Sequence, residues 1–224
     1  MRKIVGHLLN QWLLGRKARI ISQMVYIGRE RHECIYGRVG DYVRLSSLEL
    51  VAHNLQEKGI QGSVAELGVY RGNFAQHINT LFPNRKLYLF DTFEGFDERD
   101  AKTERGRRYS GANQNFADTS VDVVLSKMKH RENVIIKKGF FPDTATGVED
   151  KFAFVSIDAD LFDPIYQGLR FFYENLTRGG VIFVHDYNNA MYAGAKAAVE
   201  KFSEENNIPF FLLSDTCGSA IFLK

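Results

Sequence analysis

Short, almost wholly apolar runs alternate along this chain with longer segments whose apolar residues recur at helical spacing. The runs are too short for helices and are bounded by glycine, proline or acidic residues, so we interpret them as strands. Strands are predicted at residues 63–67, 86–90, 133–138, 152–157 and 181–184, and the runs 209–213 and 219–223 predict a terminal hairpin. Nearly all-apolar strands separated by helices indicate an α/β fold with a parallel sheet covered on both faces.

Capping residues and helix breakers place the helices between these strands. Helices are predicted at 41–58, 72–82 and 193–204. Another is expected to begin with Asp118 or Thr119 as its cap, and one to begin at Asp163-Pro164 and end at residues 179–180, both glycine. The polar stretch 92–117 shows no apolar periodicity, and a loop of this length inside a compact domain is typical of a lid over a ligand.

Acidic residues and one histidine stand where the predicted strands end. Parallel sheets bind ligands outside the carboxyl ends of their strands, at the point where the strand order reverses. The residues expected to carry chemistry are therefore Glu66, Asp91, Asp158, His185 and Asp186.

Composition narrows the class of protein without identifying it. The 224 residues suffice for one large domain, and 45% hydrophobic with 25% charged residues exclude a wholly disordered chain. Lys and Arg total 29 against 27 for Asp and Glu, and this net charge of +2 gives no support to a nucleic-acid partner. The two cysteines, Cys34 and Cys217, are far apart in sequence, which favours a reducing compartment and a cytoplasmic location.

The first twenty residues form an apolar stripe at helical spacing with basic residues on both sides. Polar residues interrupt the stripe, no small-residue cleavage site follows it, and it is too short to span a bilayer, so a signal peptide or a membrane span is not expected. A helix packed on its own domain or on a second subunit, giving a homodimer, is the favoured interpretation. Contact of residues 1–20 with a membrane surface is the alternative.

A glycine turn links the first sheet strand to the next helix. Gly68 and Gly72 allow the backbone to turn tightly and to approach a ligand closely. The turn lacks both the G-x-G-x-x-G spacing of dinucleotide enzymes and a phosphate-binding lysine. Glu66 would repel a pyrophosphate but would hold a ligand's ammonium group, and Asp91 can accept hydrogen bonds from ribose hydroxyls. A tight turn with a helix-capping aspartate is the purely structural alternative.

A second group of acidic residues lies at 156–163 and 184–187, where the fourth and fifth strands end. Carboxylates brought close together in a partly buried site raise each other's pKa unless a cation joins them, which favours a divalent metal. Such an ion would lower the pKa of a bound acceptor hydroxyl, and Asp160 is the preferred acceptor of its proton. Asp163 is interpreted as the cap of the following helix.

Five motifs in a fixed order carry a family resemblance: ELGVYRG at 66–72, LFDTFEGF at 89–96, GFFPDT at 139–144, IDADLFD at 157–163 and GGVIFVHDY at 179–187. Together they resemble the macrocin O-methyltransferase (TylF-type) family over about residues 41–224. The resemblance implies an S-adenosylmethionine-dependent and divalent-metal-dependent O-methyltransferase that acts on a hydroxyl of a sugar or natural product.

The resemblance also implies a fold and a set of site residues. The fold is the Rossmann-like class I methyltransferase sheet, with seven strands, an antiparallel last strand and helices on both faces. Residues 41–224 would form this domain, and residues 1–40 a helical extension that covers the acceptor or makes a dimer contact. The cofactor is assigned to Glu66, Gly68, Tyr70, Arg71, Gly72, Asp91, Thr92 and Phe93. Catalysis is assigned to Asp160 and Asp158, and Mg²⁺ or Mn²⁺ to Asp158, His185 and Asp186.

One position departs from the family pattern. Members usually have paired aspartates after strand five, whereas this chain has His185 before Asp186. An imidazole removes one negative charge from the predicted metal site and shifts preference from magnesium toward manganese or another transition metal. Two other functions stay open: a protein of the same fold that binds the cofactor but has lost catalysis, and a nicotinamide-dependent oxidoreductase. The missing G-x-G-x-x-G motif weighs against the oxidoreductase.

Overall fold

The computed structural model describes residues 30–36 and 41–224. Residues 33–224 form one compact unit. The apolar stripe predicted in residues 1–20, and with it most of the predicted extension 1–40, lies outside the described residues. No helix in the described part of the chain has both the length and the apolar character needed to cross a bilayer.

The described residues contain a single sheet with helices between its strands. The strands are β1 (Ser63–Leu67), β2 (Leu87–Asp91), β3 (Val134–Lys138), β4 (Phe152–Ile157), β5 (Leu176–Val184), β6 (Phe211–Leu213) and β7 (Ser219–Leu223). The α-helices are α1 (Tyr42–Glu57), α2 (Ala75–Leu81), α3 (Glu98–Gly106), α4 (Val121–Ser126), α5 (Phe162–Glu174) and α6 (Ala193–Asn206). Short 3-10 helices cover Glu33–Tyr36, Arg131–Asn133 and Asp143–Ala145.

The sheet has the strand order β3-β2-β1-β4-β5-β7-β6. Strands β1 to β5 pair in parallel, whereas β7 runs antiparallel to both β5 and β6. The order reverses between β1 and β4, where Glu66 lies level with Ser156 and Leu67 with Ile157. The predicted seven-stranded, mostly parallel sheet and its terminal hairpin are confirmed.

Both faces of the sheet are covered by apolar side chains, as the all-apolar strands predict. On one face, strand residues such as Ile157 and Val184 pack with Leu169 of α5 and Val199 of α6. On the other face, Leu45, Leu48 and Leu55 of α1 lie in one cluster with Ile78 of α2 and Val124 of α4. Each fully buried side chain of this size contributes about 1.5–3 kcal/mol to folding. The sheet is therefore a rigid base, and its carboxyl-terminal edge holds side chains in fixed positions.

Helix α1 begins where its sequence predicts. The side chain of Asp41 accepts a hydrogen bond from the backbone N–H of Arg44 at 3.1 Å, which caps the first turn. Leu45, Leu48 and Leu55 form its buried side. Arg44 is also buried on this helix, at the carboxyl-terminal edge of the sheet.

The prediction that Asp163 caps α5 is wrong. The helix begins two residues earlier than predicted, at Phe162 instead of Pro164, and its N-cap residue Leu161 makes no side-chain cap. The capping acceptor comes from α3, because a carboxylate oxygen of Glu104 accepts the N–H of Phe162 at 3.0 Å. Asp163 lies inside the first turn instead, where a negative charge interacts favourably with the helix dipole.

Two other predicted boundaries are also wrong. Helix α5 ends at Glu174, and Gly179 and Gly180 lie inside β5, which shifts register against β4 between Phe152 and Phe154. Gly179 has a φ of +83°, and a Cβ there would lie 2.4 Å from the side chain of Ile60, so the position requires glycine. At α4, Ser120 is the cap in place of Asp118 or Thr119, and it accepts the N–H of Val123 at 3.2 Å.

The polar stretch 92–117 contains a helix that its sequence does not reveal. Helix α3 begins after Asp97, whose side chain accepts the N–H of Arg99 at 2.9 Å. Its buried residues are Asp100, Ala101 and Glu104, so its inner face is mainly polar and gives no hydrophobic periodicity. Glu104 is fully buried and accepts hydrogen bonds from Phe162, from Ser110 and from the backbone of Gly194.

Substitution of Glu104 tests this anchoring role. Glu104→Ala leaves buried N–H groups on α5 and α6 without their acceptor, at a cost of about 1–3 kcal/mol for each. Glu98→Ala is the matched control, because the Glu98 side chain on the same helix is 79% exposed, and its effect should stay within about 0.5 kcal/mol. Urea denaturation measures both, and equal midpoints for the two variants would contradict the anchoring role.

Candidate active site

A cavity of about 530 Å³ opens at the carboxyl-terminal edge of the sheet. The five residues that the strand ends predict, Glu66, Asp91, Asp158, His185 and Asp186, all line it. The other predicted site residues in its wall are Gly68, Tyr70, Arg71, Thr92 and Asp160. Gly72 and Phe93 do not line the cavity: Gly72 faces Val124 of α4, and Phe93 is buried in the apolar cluster beneath.

The backbone turns sharply after four of the strands that meet at this edge. Tyr70, Phe93, Asp160 and Asp186 have φ values of 49°, 55°, 58° and 63°, which are uncommon for residues other than glycine. Such conformations cost free energy and cluster at functional sites. Gly68 also has a positive φ, and a Cβ there would lie 2.1 Å from the carbonyl oxygen of Asp158. Glycine is therefore required for β1 and β4 to approach each other closely below the cavity.

Glu66 is a buried carboxylate with unused hydrogen-bonding capacity. It is 1% exposed, and its Oε2 atom has no hydrogen-bond partner among the residues that the structure describes. Burial raises the pKa of Glu66 well above its usual range, and the charge of Arg44 offsets only part of that rise. A buried polar atom without a partner at a cavity wall indicates a ligand group, and here a cationic one fits best.

Asp91 holds the glycine turn in place. Its Oδ2 accepts the backbone N–H groups of Val69 at 2.6 Å and Tyr70 at 2.8 Å, and its Oδ1 accepts that of Phe93 at 2.6 Å. The structural alternative for Asp91, an aspartate that fixes a tight turn, therefore describes what it does in this structure. Oδ2 already accepts two bonds, whereas Oδ1 accepts only one at this distance, so a ribose hydroxyl is compatible with this arrangement at Oδ1.

The stretch 92–117 forms one wall of the cavity. Gly95, Phe96 and Phe116 line it, and the ring of Phe116 contacts those of Phe96 and Tyr70 edge-on, with centroids 5.2 and 5.1 Å apart. Asp118 joins this wall to the glycine turn, because it accepts a hydrogen bond from the Tyr70 hydroxyl at 2.6 Å and forms an ion pair with Arg71. The position of this stretch agrees with a cover for the ligand.

Arg44 reaches into the acidic end of the cavity. Its Nη1 donates to Oδ2 of Asp158 at 2.8 Å, its Nη2 donates to the Ser156 hydroxyl at 2.8 Å, and its guanidinium lies over the ring of Phe74 with 3.9 Å to the centroid. Burial on its own raises the pKa of Asp158, but the charges of Arg44 and His185 outweigh it and hold that pKa far below its usual range. Asp158 is thus a permanent anion.

His185 lies between two carboxylates. Its Nδ1 is 3.2 Å from Oδ1 of Asp158 and 3.1 Å from Oδ2 of Asp186, without good hydrogen-bond alignment to either. Burial on its own lowers the pKa of His185. Asp158 and Asp186 outweigh this effect and raise the pKa to about 10, which favours the protonated imidazolium. Next to it, burial raises the pKa of Asp160 well above its usual range, and the charges of Asp158 and Asp186 add to the rise.

The predicted ligand set does not fit a divalent metal in this structure. Oδ2 of Asp158 already pairs with the guanidinium of Arg44, and its Oδ1 faces Nδ1 of His185. Asp186 accepts the side-chain amide of Asn189 at 2.9 Å with one oxygen and faces His185 with the other. A metal needs a neutral imidazole, which is the form that these surroundings disfavour.

Two further groups of possible ligand atoms include His185, one with Asp186 and Cys217, the other with Asp41 and Asp215. Burial raises the pKa of Cys217 to about 11, and Asp186 adds to that rise, so the thiol keeps its proton. Both carboxylate oxygens of Asp41 already accept hydrogen bonds from backbone N–H groups, those of Arg44 at 3.1 Å and Thr216 at 2.9 Å. Neither group is a better metal site.

Comparison with known proteins identifies the family. The family model described as Macrocin-O-methyltransferase (TylF) matches residues 13–218. The chain belongs to this family. The match begins before residue 41, from which the resemblance is predicted to extend.

Similar proteins agree with this membership of the macrocin O-methyltransferase family. A relative from Streptomyces olivaceus, described as 8-demethyl-8-(2,3-dimethoxy-alpha-L-rhamnosyl)-tetracenomycin-C 4'-O-methyltransferase, is 22% identical over 173 residues. The match covers 72% of this chain and 66% of that relative, just under two thirds of its length.

Two solved structures share the fold. The O-methyltransferase NovP is 21% identical with a TM-score of 0.69, covering 82% of this chain and 80% of NovP. The calicheamicin methyltransferase CalS11 is 20% identical with a TM-score of 0.63, covering 80% and 78%. Family and fold are those of S-adenosylmethionine-dependent O-methyltransferases.

Sequence reasoning about this macrocin O-methyltransferase family member missed Arg44. Its position carries a usable signal, because Arg44, Leu48 and Leu55 follow helical spacing and so share the buried side of α1. An arginine on such a side needs a buried anion, and the carboxylates at the strand ends are the candidates. Phe96 and Phe116 were missed as individual wall residues because they lie in a stretch without periodicity.

Replacement of Asp91 separates its two possible roles. Asp91→Ala leaves three backbone N–H groups of the turn without an acceptor, so we expect a loss of about 1–3 kcal/mol in the free energy of unfolding together with weaker cofactor binding. Denaturation and calorimetric titration with S-adenosylhomocysteine measure the two effects, with the exposed Asp122→Ala as control. Weaker binding with unchanged stability would contradict the turn-holding role and favour a direct ribose contact.

Proposed function

We propose that this protein transfers a methyl group from S-adenosylmethionine to a hydroxyl of a sugar, or of a glycosylated natural product. The observation that carries the proposal is the buried Glu66 carboxylate at the cavity wall, one oxygen of which has no partner among the described residues, beside a glycine turn that has no phosphate-binding lysine. This combination suits a cationic ligand that carries no phosphate. Family membership and the rhamnosyl-tetracenomycin O-methyltransferase from Streptomyces olivaceus support the sugar acceptor.

The cofactor end of the cavity would be formed by β1, β2 and the turns that follow them. Glu66 would pair with the ammonium group of the methionine portion. The turn from Gly68 to Gly72, with Tyr70 and Arg71, would surround that portion, since Asp91 fixes its backbone. Asp91 and Thr92 would face the ribose, and Phe93 would support this region from beneath. S-adenosylmethionine, when bound, supplies a methyl group activated by a sulfonium centre.

The chain's own contribution to the reaction is alignment, exclusion of water and removal of a proton. The acceptor oxygen must lie in line with the methyl group and the leaving sulfur, which a rigid sheet edge favours. The rings of Phe96 and Phe116 exclude water from the wall. Asp160 would accept the hydroxyl proton on its carboxylate; its raised pKa makes the ionised form a stronger base than an ordinary aspartate and shifts formation of that form to higher pH. Asp158 would hold His185 and Arg44 in place around it.

The divalent ion that the family resemblance implies is not part of this proposal. Asp158, His185 and Asp186 as Mg²⁺ or Mn²⁺ ligands remain a sequence prediction that the arrangement of Arg44 and His185 disfavours. A cytoplasmic location and a homodimer likewise remain predictions.

Calorimetric titration tests the cofactor. We expect S-adenosylmethionine and S-adenosylhomocysteine to bind and NADH not to bind. Glu66→Gln should weaken the binding of S-adenosylmethionine by at least about tenfold, because a hydrogen bond to a charged group contributes about 1.5–3 kcal/mol. Glu98→Gln, on the exposed side of α3, is the control. Binding of NADH in place of the methyl donor would refute the proposal and favour the oxidoreductase.

A turnover assay tests the reaction. Release of S-adenosylhomocysteine is measured with a panel of deoxysugar nucleotides and rhamnosylated aromatic compounds that carry free hydroxyls. Asp160→Asn should lower kcat by about 10²–10⁴-fold, as loss of a general base does, while S-adenosylmethionine affinity stays within a few fold. Undiminished turnover in Asp160→Asn would exclude Asp160 as the base. Cofactor binding without turnover on any acceptor would favour a protein that has lost catalysis.

A further inference from the structure

The guanidinium of Arg44 occupies the position next to Asp158 where the sequence predicts a divalent ion. Its Nη1 contacts Oδ2 of Asp158 at 2.8 Å, and the Arg44 side chain is only 6% exposed. Asp158 is also the residue that follows β4 directly, at the strand position from which the predicted metal site begins. The guanidinium of Arg44 therefore already pairs with the Asp158 carboxylate that a metal would need as a ligand.

The fold fixes this guanidinium from several sides. Nη2 donates to the Ser156 hydroxyl at 2.8 Å, which lies inside β4, and the ring of Phe74 covers the guanidinium plane at 3.9 Å. The start of α1 is held as well, since Asp41 caps it and also accepts the N–H of Thr216, in the turn before β7. Displacing Arg44 from Asp158 would break its contacts to β4 and to Phe74 and leave a charged group buried without a partner.

The remaining oxygen of Asp158 gives no room for a metal either. It faces Nδ1 of His185 at 3.2 Å, and the same Nδ1 lies 3.1 Å from Asp186. A divalent ion bound to Asp158 would lie within a few ångströms of the guanidinium, where two like charges repel strongly in a partly buried site. The Asp158 carboxylate is thus already matched by the charge of Arg44.

We propose that Arg44 is the resident cation of this site and that methyl transfer by this protein requires no divalent metal. This inference rests on the proposed function. Arg44 is a positioning residue: it fixes the charge and orientation of Asp158 beside the proton acceptor Asp160.

Metal binding by the unmodified full-length protein gives the first test. Mn²⁺ is titrated and followed by electron paramagnetic resonance, which separates free from bound ion without any turnover. We expect no saturable site, and we expect chelation with EDTA to change turnover by less than about twofold, within the range of a nonspecific salt effect. One Mn²⁺ bound per chain, with turnover abolished by EDTA and restored by Mn²⁺, would overturn the inference while leaving the methyltransferase proposal intact.

Removal of the guanidinium gives the second test. Arg44→Met leaves Asp158 without its cation, so Mn²⁺ affinity should rise by at least about tenfold, because a like charge no longer repels the ion. Arg85→Met is the matched control: Arg85 is partly buried and likewise lies over a ring, that of Phe82, but within the described part of the chain it donates to the backbone carbonyls of Gly62 and Ile60 and to no carboxylate. A purely structural role for Arg44 predicts no gain in Mn²⁺ affinity.

Arg44→Lys keeps the positive charge but removes the planar guanidinium, so it separates the effect of the charge from the effect of the side chain's shape. It should bind Mn²⁺ as poorly as the unmodified protein while losing the second hydrogen bond, to Ser156. If Arg44→Met does not fold, the titration of the unmodified protein and of Arg44→Lys still decides. Equal Mn²⁺ affinity in a folded Arg44→Met and in Arg44→Lys would refute the role of the guanidinium. Failure of the protein to bind S-adenosylmethionine would refute the proposed function alone, since the Mn²⁺ titration does not depend on it.

Discussion

Buried charge at the carboxyl-terminal edge of the sheet is the constraint on which the rest of the site depends. Glu66, Asp158 and Asp186 are removed from most solvent, and a carboxylate in such surroundings is stable only beside a cation or a strong donor. Arg44 and His185 meet that requirement for two of them, whereas Oε2 of Glu66 is left for a ligand among the residues described. The pattern of paired and unpaired carboxylates therefore separates the carboxylates that the chain stabilises by itself from one that has an oxygen open to a ligand.

Local apolar patterns made the sheet predictable. The strands β1 and β4 have the predicted bounds. Each lies in the centre of the sheet and is buried along its whole length, so its mainly apolar run coincides with the strand. The gathering of Glu66, Asp91, Asp158, His185 and Asp186 also follows from topology, since parallel strands end at one edge. The roles of these residues toward a ligand do not follow from topology. Asp91 shows why, because its carboxylate accepts hydrogen bonds from the backbone of the glycine turn.

The features that sequence reasoning missed depend on contacts between distant segments. The first turn of α5 is capped by Glu104, 58 residues earlier in the chain, so no inspection of the sequence around Asp163 reveals the cap. Helix α3 buries acidic residues and therefore resembles a loop in any hydrophobicity pattern. Arg44 lies 114 residues before its partner Asp158. Only its place on the apolar side of α1 indicates that it has a buried partner.

The two ends of the cavity wall formed by residues 92–118 differ in how firmly they are attached. Glu104 holds α3 by buried hydrogen bonds to two other helices, whereas the Arg71–Asp118 ion pair has its side chains 45% and 46% exposed and contributes little to stability. The wall is therefore held firmly where α3 is anchored by Glu104 and only weakly where Asp118 pairs with Arg71. Movement of the Asp118 end would leave the contacts of Glu104 with the two other helices, and the sheet beneath them, undisturbed.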